Sequence, residues 1–380
     1  MAKIILYHPW VYLKSGLERT LLEVARRSRH DVVIHTSHYD AEGTYPELKE
    51  MPVIEHDRVS VKRTYKEVLK AARSMFMLKF PPSDYDVLVI SCDGLGPLLM
   101  FRNAGKPAMN LVFTPLRAVY DEVYRAQILG EKGLKRLLRL ITEKVFAILD
   151  RRAWRHFDSV ISISETVTNR IVKGDLYPRG KVVLSFAGID EAKIGPGKPA
   201  EKYFFLPGRI MWTKNIELAL EAFEKLRGDH PDWQLVIGGM VDAKSQSYFA
   251  ELSKKAESVG NVTFRRDLTD AEMLDLYDRC SCVVMTALNE DQGLTPLEGA
   301  TRGKPSIAIN KGGPKELILN EKTGLLVEPD PEIYANAMRR IIADPDEAVA
   351  MGAAAQEHVK KYTWKNFVDV FDAEIDRIIA

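Results

Sequence analysis

Two carboxylates eight positions apart, Glu290 and Glu298, stand in the stretch NEDQGLTPLEGATRGKP (289–305) on either side of Gly293, Leu294, Thr295 and Pro296. The stretch follows the apolar run CVVMTA, and Pro296 suits the first position of a helix because it has no amide to lose there. A helix beginning at that point offers free N–H groups and the positive end of its dipole, an anion site most often filled by phosphate. Glycine at 293 lets backbone approach such a ligand closely. Each acid also has a plainer reading. Thr295-Pro296-Leu297-Glu298 matches the T-x-x-E capping box, and Glu290 alone fits a solvated loop acid.

The counterpart is KYFFLPGRIMWTKNIELALEAF (202–223), where Gly208 and Arg209 end a strand-like run and Lys214 precedes an amphipathic pattern. A planar guanidinium and a mobile ammonium that reach one crevice can neutralise a diphosphate. Either cation alone fits a solvated loop edge. Both beside an anion-binding helix start point to a phosphate-rich ligand.

These groups need a scaffold, and the hydrophobic pattern supplies one. Apolar runs recur at IILYH (4–8), VVIHTS (32–37), VLVIS (87–91), AMNLVF (108–113), SVISIS (159–164) and KVVLSF (181–186), with helical stretches between them. After EAKIGPGKPAE (191–201), which reads as a linker, the alternation restarts at YFFLPG (203–208), QLVIGG (234–239), VTFR (262–265), CVVMTA (282–287), SIAIN (306–310) and GLLVE (324–328). Consecutive apolar positions mark strands covered on both faces, hence two doubly wound parallel sheets. The expected α/β organisation is a first domain over 1–190, a linker over 191–201, a second domain over 202–362 and a terminal helix over 363–380. Open α/β sheets bind ligands beyond the carboxyl ends of their strands, so the cleft between two such domains is the expected site.

A chain of 380 residues exceeds the length at which one core stops growing, which agrees with two domains. The net charge of +1 hides an asymmetry: residues 1–190 carry 30 Lys+Arg against 22 Asp+Glu, and the remainder carries 24 against 31. Three cysteines in or beside apolar runs argue for buried thiols rather than a disulfide framework. No signal peptide and no run of about 20 apolar residues is found, so a cytoplasmic protein is expected.

On these motifs the second half resembles the GT4 family of retaining glycosyltransferases, which have the GT-B fold. GRIMWTKNIELALEAF, LVIGGM, the E-x7-E element from Glu290 to Glu298, GKP (303–305), GGPKELI (312–318) and TGLLVEP (323–329) occur in the family's order. SGLERTLLEVA (15–25) and SISISETVTNRI (160–171) are looser matches ahead of them. The resemblance implies two Rossmann-like domains, the acceptor on the first, a nucleotide-diphosphate sugar on the second, and a C-terminal helix crossing back to the first. It implies that Glu298 holds the ribose hydroxyls and Glu290 those of the transferred sugar. Arg209 and Lys214 would grip the diphosphate, with Gly208, the amides of Gly293, Leu294 and Thr295, and Gly16 beside it. The base would rest near Arg265 and Arg266. Glu290, Arg209 and Lys214 are the implied catalytic groups, and neither a cofactor nor a metal is implied. The D-x-D triplets Asp84-Tyr85-Asp86 and Asp344-Pro345-Asp346 are read as structural, the first at the amino end of a strand and the second at a helix cap.

NLVFTPLRAVYDEVY (110–124) is similar to the HTPxRYxxD element of mannosyltransferases of this family, with Phe113 where the histidine would stand. Phe113, Thr114, Arg117 and Asp121 are therefore candidates for the acceptor or sugar region. Arg117 and Asp121 equally fit an i,i+4 pair on an exposed helix face. The implied activity is metal-independent, retaining transfer of a hexose, with GDP-mannose as candidate donor and a glycan or lipid-linked acceptor. The alternatives are a UDP-sugar-dependent glucosyl or N-acetylglucosaminyl transferase and a catalytically quiet nucleotide-sugar-binding subunit.

The segment 124–156 sets Arg125, Lys132, Lys135, Arg136, Arg139, Lys144, Arg151, Arg152 and Arg155 among leucines and isoleucines. It fits an amphipathic surface for an anionic membrane, which would place the protein peripherally on the inner face of the membrane, and it fits equally a long helix with a solvated basic face. No nucleic-acid motif accompanies the charge, and none of those partners is expected.

Overall fold

Runs of consecutive apolar residues become interior parallel strands in the computed structural model, which describes residues 1–62, 64–92, 94–129, 133–242 and 245–380. The chain divides into two units, Met1–Gly188 with Trp364–Ala380, and Ile189–Thr363.

The first unit contains β1 (Lys3–His8), α1 (Gly16–Arg27), β2 (Asp31–Thr36), β3 (Val53–Glu55), α2 (Tyr65–Met77), β4 (Val87–Cys92), α3 (Met100–Asn103) and β5 (Ala108–Val112). It continues with α4 (Arg117–Tyr120), α5 (Glu122–Leu129), α6 (Gly133–Trp154), β6 (Ser159–Ser162), α7 (Glu165–Lys173) and β7 (Val182–Leu184). The seven strands are ordered β3-β2-β1-β4-β5-β6-β7, all parallel. In β1, Ile4, Ile5 and Leu6 run beside Val32, Val33 and Ile34, and nearly every side chain of these central strands is buried. Strand β3 was not anticipated. Its three residues lie at the sheet edge, follow Pro52 and leave Ile54 and Glu55 exposed, so no buried run betrays it.

The second unit contains β8 (Tyr203–Pro207), α8 (Ile216–Arg227), β9 (Gln234–Gly238), α9 (Gln246–Val259), β10 (Val262–Arg265), α10 (Asp270–Arg279) and β11 (Cys282–Met285). It ends with α11 (Thr295–Thr301), β12 (Ser306–Ile309), α12 (Pro314–Leu317), β13 (Gly324–Val327), α13 (Pro331–Ala343) and α14 (Pro345–Val359). Its six parallel strands are ordered β10-β9-β8-β11-β12-β13. Its core packs Phe204 against Trp233, with ring centroids 5.0 Å apart, under the buried stripe Ile216, Leu220, Phe223 and Leu226 of α8. Cys280 and Cys282 are buried free thiols in this unit.

Residues 191–201, expected as a linker, pack onto this second unit. Arg302 donates to the carbonyls of Lys193 (2.8 Å) and Pro196 (2.7 Å), Gly195 N donates to Thr301 O (3.1 Å), and Lys304 Nζ donates to Lys198 O (3.2 Å). Thr301, Arg302 and Lys304 thus anchor the incoming chain, the last of them from the GKP element.

The last helix, α15 (Trp364–Ile379), belongs to the first unit. It buries Trp364, Phe367, Phe371 and Ile375, and Asp372 accepts from Ser28 Oγ (2.6 Å) and Arg29 N (3.0 Å). Glu374 accepts from Ser159 Oγ (2.6 Å). Among the described residues no helix is long and apolar enough to cross a membrane.

Candidate functional site

In the second sheet the first strand, β8, is flanked by β9 on one side and β11 on the other, so the topological switch point lies between β8 and β11. Loops leaving the carboxyl ends of strands at such a point diverge and open a crevice. The loop after β8 carries Gly208, Arg209 and Lys214, and the loop after β11 carries Glu290 and Gly293.

Three bonds stitch those loops together. Thr286 Oγ1 donates to Lys214 O (2.8 Å), Leu288 N donates to Thr213 O (3.2 Å), and Lys214 Nζ meets Glu290 Oε2 at 2.7 Å. Lys214 closes a single 3-10 turn, Trp212–Lys214, and Asn215 behind it takes a left-handed conformation (φ 49°) that asparagine tolerates. The side chains of Lys214 and Glu290 are 18 % and 24 % exposed, so the pair is reachable from solvent yet held in place.

Two close approaches explain the glycine-rich motifs around this pair. A Cβ on Gly239 would sit 2.0 Å from Gly208 O, which lets the loops after β8 and β9 touch. A Cβ on Gly312, at φ 71°, would sit 2.6 Å from Glu290 O, and Gly313 N donates to that same oxygen at 2.9 Å. The GGP motif therefore forms the floor on which Glu290 rests.

The capping-box reading of Thr295 and Glu298 does not hold. Leu294 occupies the cap position with near-helical angles (φ −67°, ψ −22°), Thr295 is already the first helical residue and Pro296 the second, and no side chain caps the helix. A capping Thr must be extended, and this one is not. Glu298, exposed in the first turn, instead accepts a hydrogen bond from the phenol of Tyr277 on α10 at 2.6 Å. Burial, and then the neighbouring carboxylate, push the Tyr277 phenol well above its usual range, so it stays a donor. Among the described residues, the amides of Gly293, Leu294 and Thr295 have no acceptor.

Arg209, half-buried, has no hydrogen-bond or ionic partner among the described residues. Arg265 ends β10, its carbonyl accepts from Gly239 N (2.9 Å) and its guanidinium lies 3.9 Å from Glu272. Arg266 stacks over Phe249, 5.1 Å from the ring centre.

In the first unit, Gly16 is the first residue of α1 and Ser15 caps it, accepting from Leu17 N at 3.3 Å. At this sheet's own switch point, between β1 and β4, His8 Nδ1 lies 3.1 Å from both the carbonyl and the hydroxyl oxygen of Ser91.

Phe113 and Thr114, after β5, are buried. Arg170 on α7 donates to Thr114 Oγ1 (3.1 Å) and pairs with Asp121 Oδ2 (3.0 Å), and the Arg117 guanidinium lies 3.8 Å from the same oxygen. Asp121 Oδ1 further accepts the amides of Val123 (2.9 Å) and Tyr124 (3.3 Å). The exposed-face reading of Arg117 and Asp121 is corrected accordingly: the Asp121 side chain is 0 % exposed and serves as an internal hub.

The basic segment forms two helices, α5 and α6; Lys132 lies outside the described residues. Of the D-x-D triplets, Asp86 accepts from Lys3 N (2.8 Å) and Asp344 caps α14 by accepting from Glu347 N (2.9 Å). Sequence reasoning missed Tyr277 and Arg170, both lone polar residues in amphipathic patterns, and no local signal marks either.

Comparison with known proteins adds to this geometry. Residues 189–358 match the family model described as glycosyl transferases group 1. The chain is 29% identical over 398 residues to alpha-1,3/1,6-mannosyltransferase ALG2 of Homo sapiens, covering 94% of this chain and 91% of that one. It is 31% identical to the enzyme of the same name from Rhizomucor pusillus, covering 94% and 88%. Among solved structures, sucrose-phosphate synthase from Thermosynechococcus elongatus superposes with a TM-score of 0.75 at 19% identity, covering 100% of this chain and 99% of that one, a likeness of fold.

Proposed function

This chain belongs to the group 1 glycosyl transferases and transfers a hexose from a nucleotide sugar, and we propose that the hexose is mannose, carried by GDP and delivered to a lipid-linked glycan. Mannose is supported by the relatives that span nearly the whole chain, which are named as mannosyltransferases. GDP is the nucleotide that ordinarily activates that sugar.

One observation carries the site: Lys214 and Glu290 share a 2.7 Å ion pair at the switch point, in the loops that also carry the amides of Gly293 to Thr295, which have no acceptor among the described residues. A diphosphate outbids one carboxylate for an ammonium, so donor binding turns Lys214 onto the phosphates and frees Glu290 to accept sugar hydroxyls. Arg209 adds a planar set of donors. Together the two cations and the amides of Gly293 to Thr295 offset the negative charge that grows on the leaving oxygen, the most effective place to lower this barrier. They supply the charge that a divalent ion would otherwise bring. Glu298, held by Tyr277, accepts the ribose hydroxyls. Retention follows if the acceptor attacks from the leaving-group face and the departing phosphate takes its proton.

The test is donor hydrolysis and transfer with labelled GDP-mannose, UDP-glucose and UDP-N-acetylglucosamine in the presence of EDTA. GDP-mannose turnover that Lys214→Ala abolishes is the expected result. Turnover of a UDP-sugar instead would replace the donor, and binding without turnover of any would make the chain a quiet subunit.

A further inference from the structure

Helix α6 carries two apolar sides. The inner one is occupied: Ala153 and Trp154 are buried, and the indole of Trp154 donates to the buried Asp150 at 3.0 Å. The outer one is not. Leu137, Leu138, Ile141, Val145 and Ile148 are each between 51% and 54% exposed. Positions 137, 141, 145 and 148 fall within roughly 80° of one helix face. A helix of a water-soluble unit turns such a stripe toward the core.

Helix α2 meets α6 at its first residue and adds exposed apolar side chains of its own. Tyr65 Oη lies 2.8 Å from Thr142 Oγ1, joining the two helices, and Leu69, Phe76 and Met77 of α2 are exposed as well. Cations interleave with these side chains: Lys66 and Arg73 on α2, and Arg136, Lys144 and Arg152 on α6, are all exposed. The acids of the two helices do not offset them at the surface. Glu67 pairs with Lys70 (3.0 Å), Glu143 pairs with Arg139 (3.8 Å), and Asp150 is 1% exposed.

We propose that the outer face of α2 and α6 docks on an anionic lipid bilayer. Leucine, isoleucine and valine side chains enter the acyl boundary while lysine and arginine stems reach back to headgroup phosphates, a fit that needs both the apolar stripe and its cationic border. A second copy of this chain is disfavoured as occupant, because a two-fold interface would set like charges against each other. The inference deepens the lipid-linked-acceptor reading, on which its purpose rests.

The test uses the full chain and vesicles of phosphatidylcholine, with or without phosphatidylglycerol. Co-sedimentation is expected only with the anionic vesicles and should fall as salt rises. Ile141→Glu combined with Val145→Glu should weaken it about tenfold or more, since two buried apolar contacts become charges. Lys144→Ala should weaken it about fivefold. All three positions are exposed, so melting temperature and hydrolysis of water-soluble donor should stay at wild-type level; loss of hydrolysis in the wild type would instead count against the donor site. Equal binding to neutral vesicles, no binding to either, or a dimer in light scattering that the paired Glu substitutions abolish would each overturn the proposal.

Discussion

The phenolic oxygen of Tyr277 lies 2.6 Å from Oε2 of Glu298, tying a buried ring on α10 to an exposed carboxylate in the first turn of α11. The ring is locked edge-on to Phe205, with centroids 5.1 Å apart, so the hydroxyl has one direction to point. Tyr277→Phe keeps that packing and removes the donor. A hydrogen bond to a charged group contributes about 1.5–3 kcal/mol. If the bond orients Glu298 toward ribose, KM for the donor should rise about tenfold while kcat changes little. Steady-state kinetics with the natural donor and its 3′-deoxyribose analogue check this. The analogue should be affected less, and equal effects on both would remove Glu298 from the ribose.

Lys214 and Glu290 allow a second prediction, because the pair is weak as a structural element and strong as a chemical one. Partly exposed ion pairs contribute about 0–1 kcal/mol to stability. Lys214→Ala and Glu290→Gln should therefore melt within a few degrees of the wild type while each lowers kcat by about 10² or more. The double variant should be little worse than either single one, since the two act on the same bound donor. Calorimetric scanning beside single-turnover assays would read both; a large loss of stability with residual kcat intact would make the pair a structural clasp.

Much of this fold is legible in the sequence for a physical reason. Parallel strands buried on both faces need apolar residues at consecutive positions, and IILYH and CVVMTA announce themselves accordingly. β3 does not, because an edge strand of three residues has no such requirement. The candidate site is half legible. Gly208, Lys214, Glu290 and Gly293 could be nominated by motif, and they lie together at the switch point. What cannot be read locally is who holds them. The T-x-x-E pattern pointed to Thr295 as partner of Glu298, but the partner is Tyr277, 21 positions away. The true capping box lies at Thr269 and Glu272. Arg170 reaches Thr114 across 56 positions, a contact that only the folded sheet creates.

That hub gives a third prediction. Asp121 is enclosed by Arg170, Arg117 and two amides, so Asp121→Ala strands the nearly buried Arg170 guanidinium without its carboxylate. Breaking a buried pair from one side costs about 3–5 kcal/mol. Arg117→Ala, at a part-exposed position 3.8 Å from the same carboxylate, should cost under about 1 kcal/mol. Urea titrations measure both. If Asp121→Ala is tolerated and only acceptor KM moves, Asp121 is a binding residue rather than the post that holds the 113–121 element.

The fourth prediction concerns pH. Burial pushes the Asp150 carboxyl up to about 7 from 3.8, against hydrogen bonds from Tyr120 and Trp154 and the charge of Arg151. Between those two values the folded chain keeps a proton that the unfolded chain has released, so this group's contribution is full below about pH 4 and is lost as pH rises to about 7. His35 runs the other way. Burial, with His56 beside it, lowers its pKa to about 4, so folding there is favoured as pH rises from 4 toward 6.5. The two slopes partly cancel in the wild type. Asp150→Asn removes the falling one and keeps an amide that can accept from Trp154, so its unfolding midpoint should climb more steeply between pH 4.5 and 6.5 than that of the wild type. Urea midpoints measured across about pH 4–8 test this. A wild-type-minus-variant difference that stays flat over that range would mean that Asp150 is already ionised inside the fold.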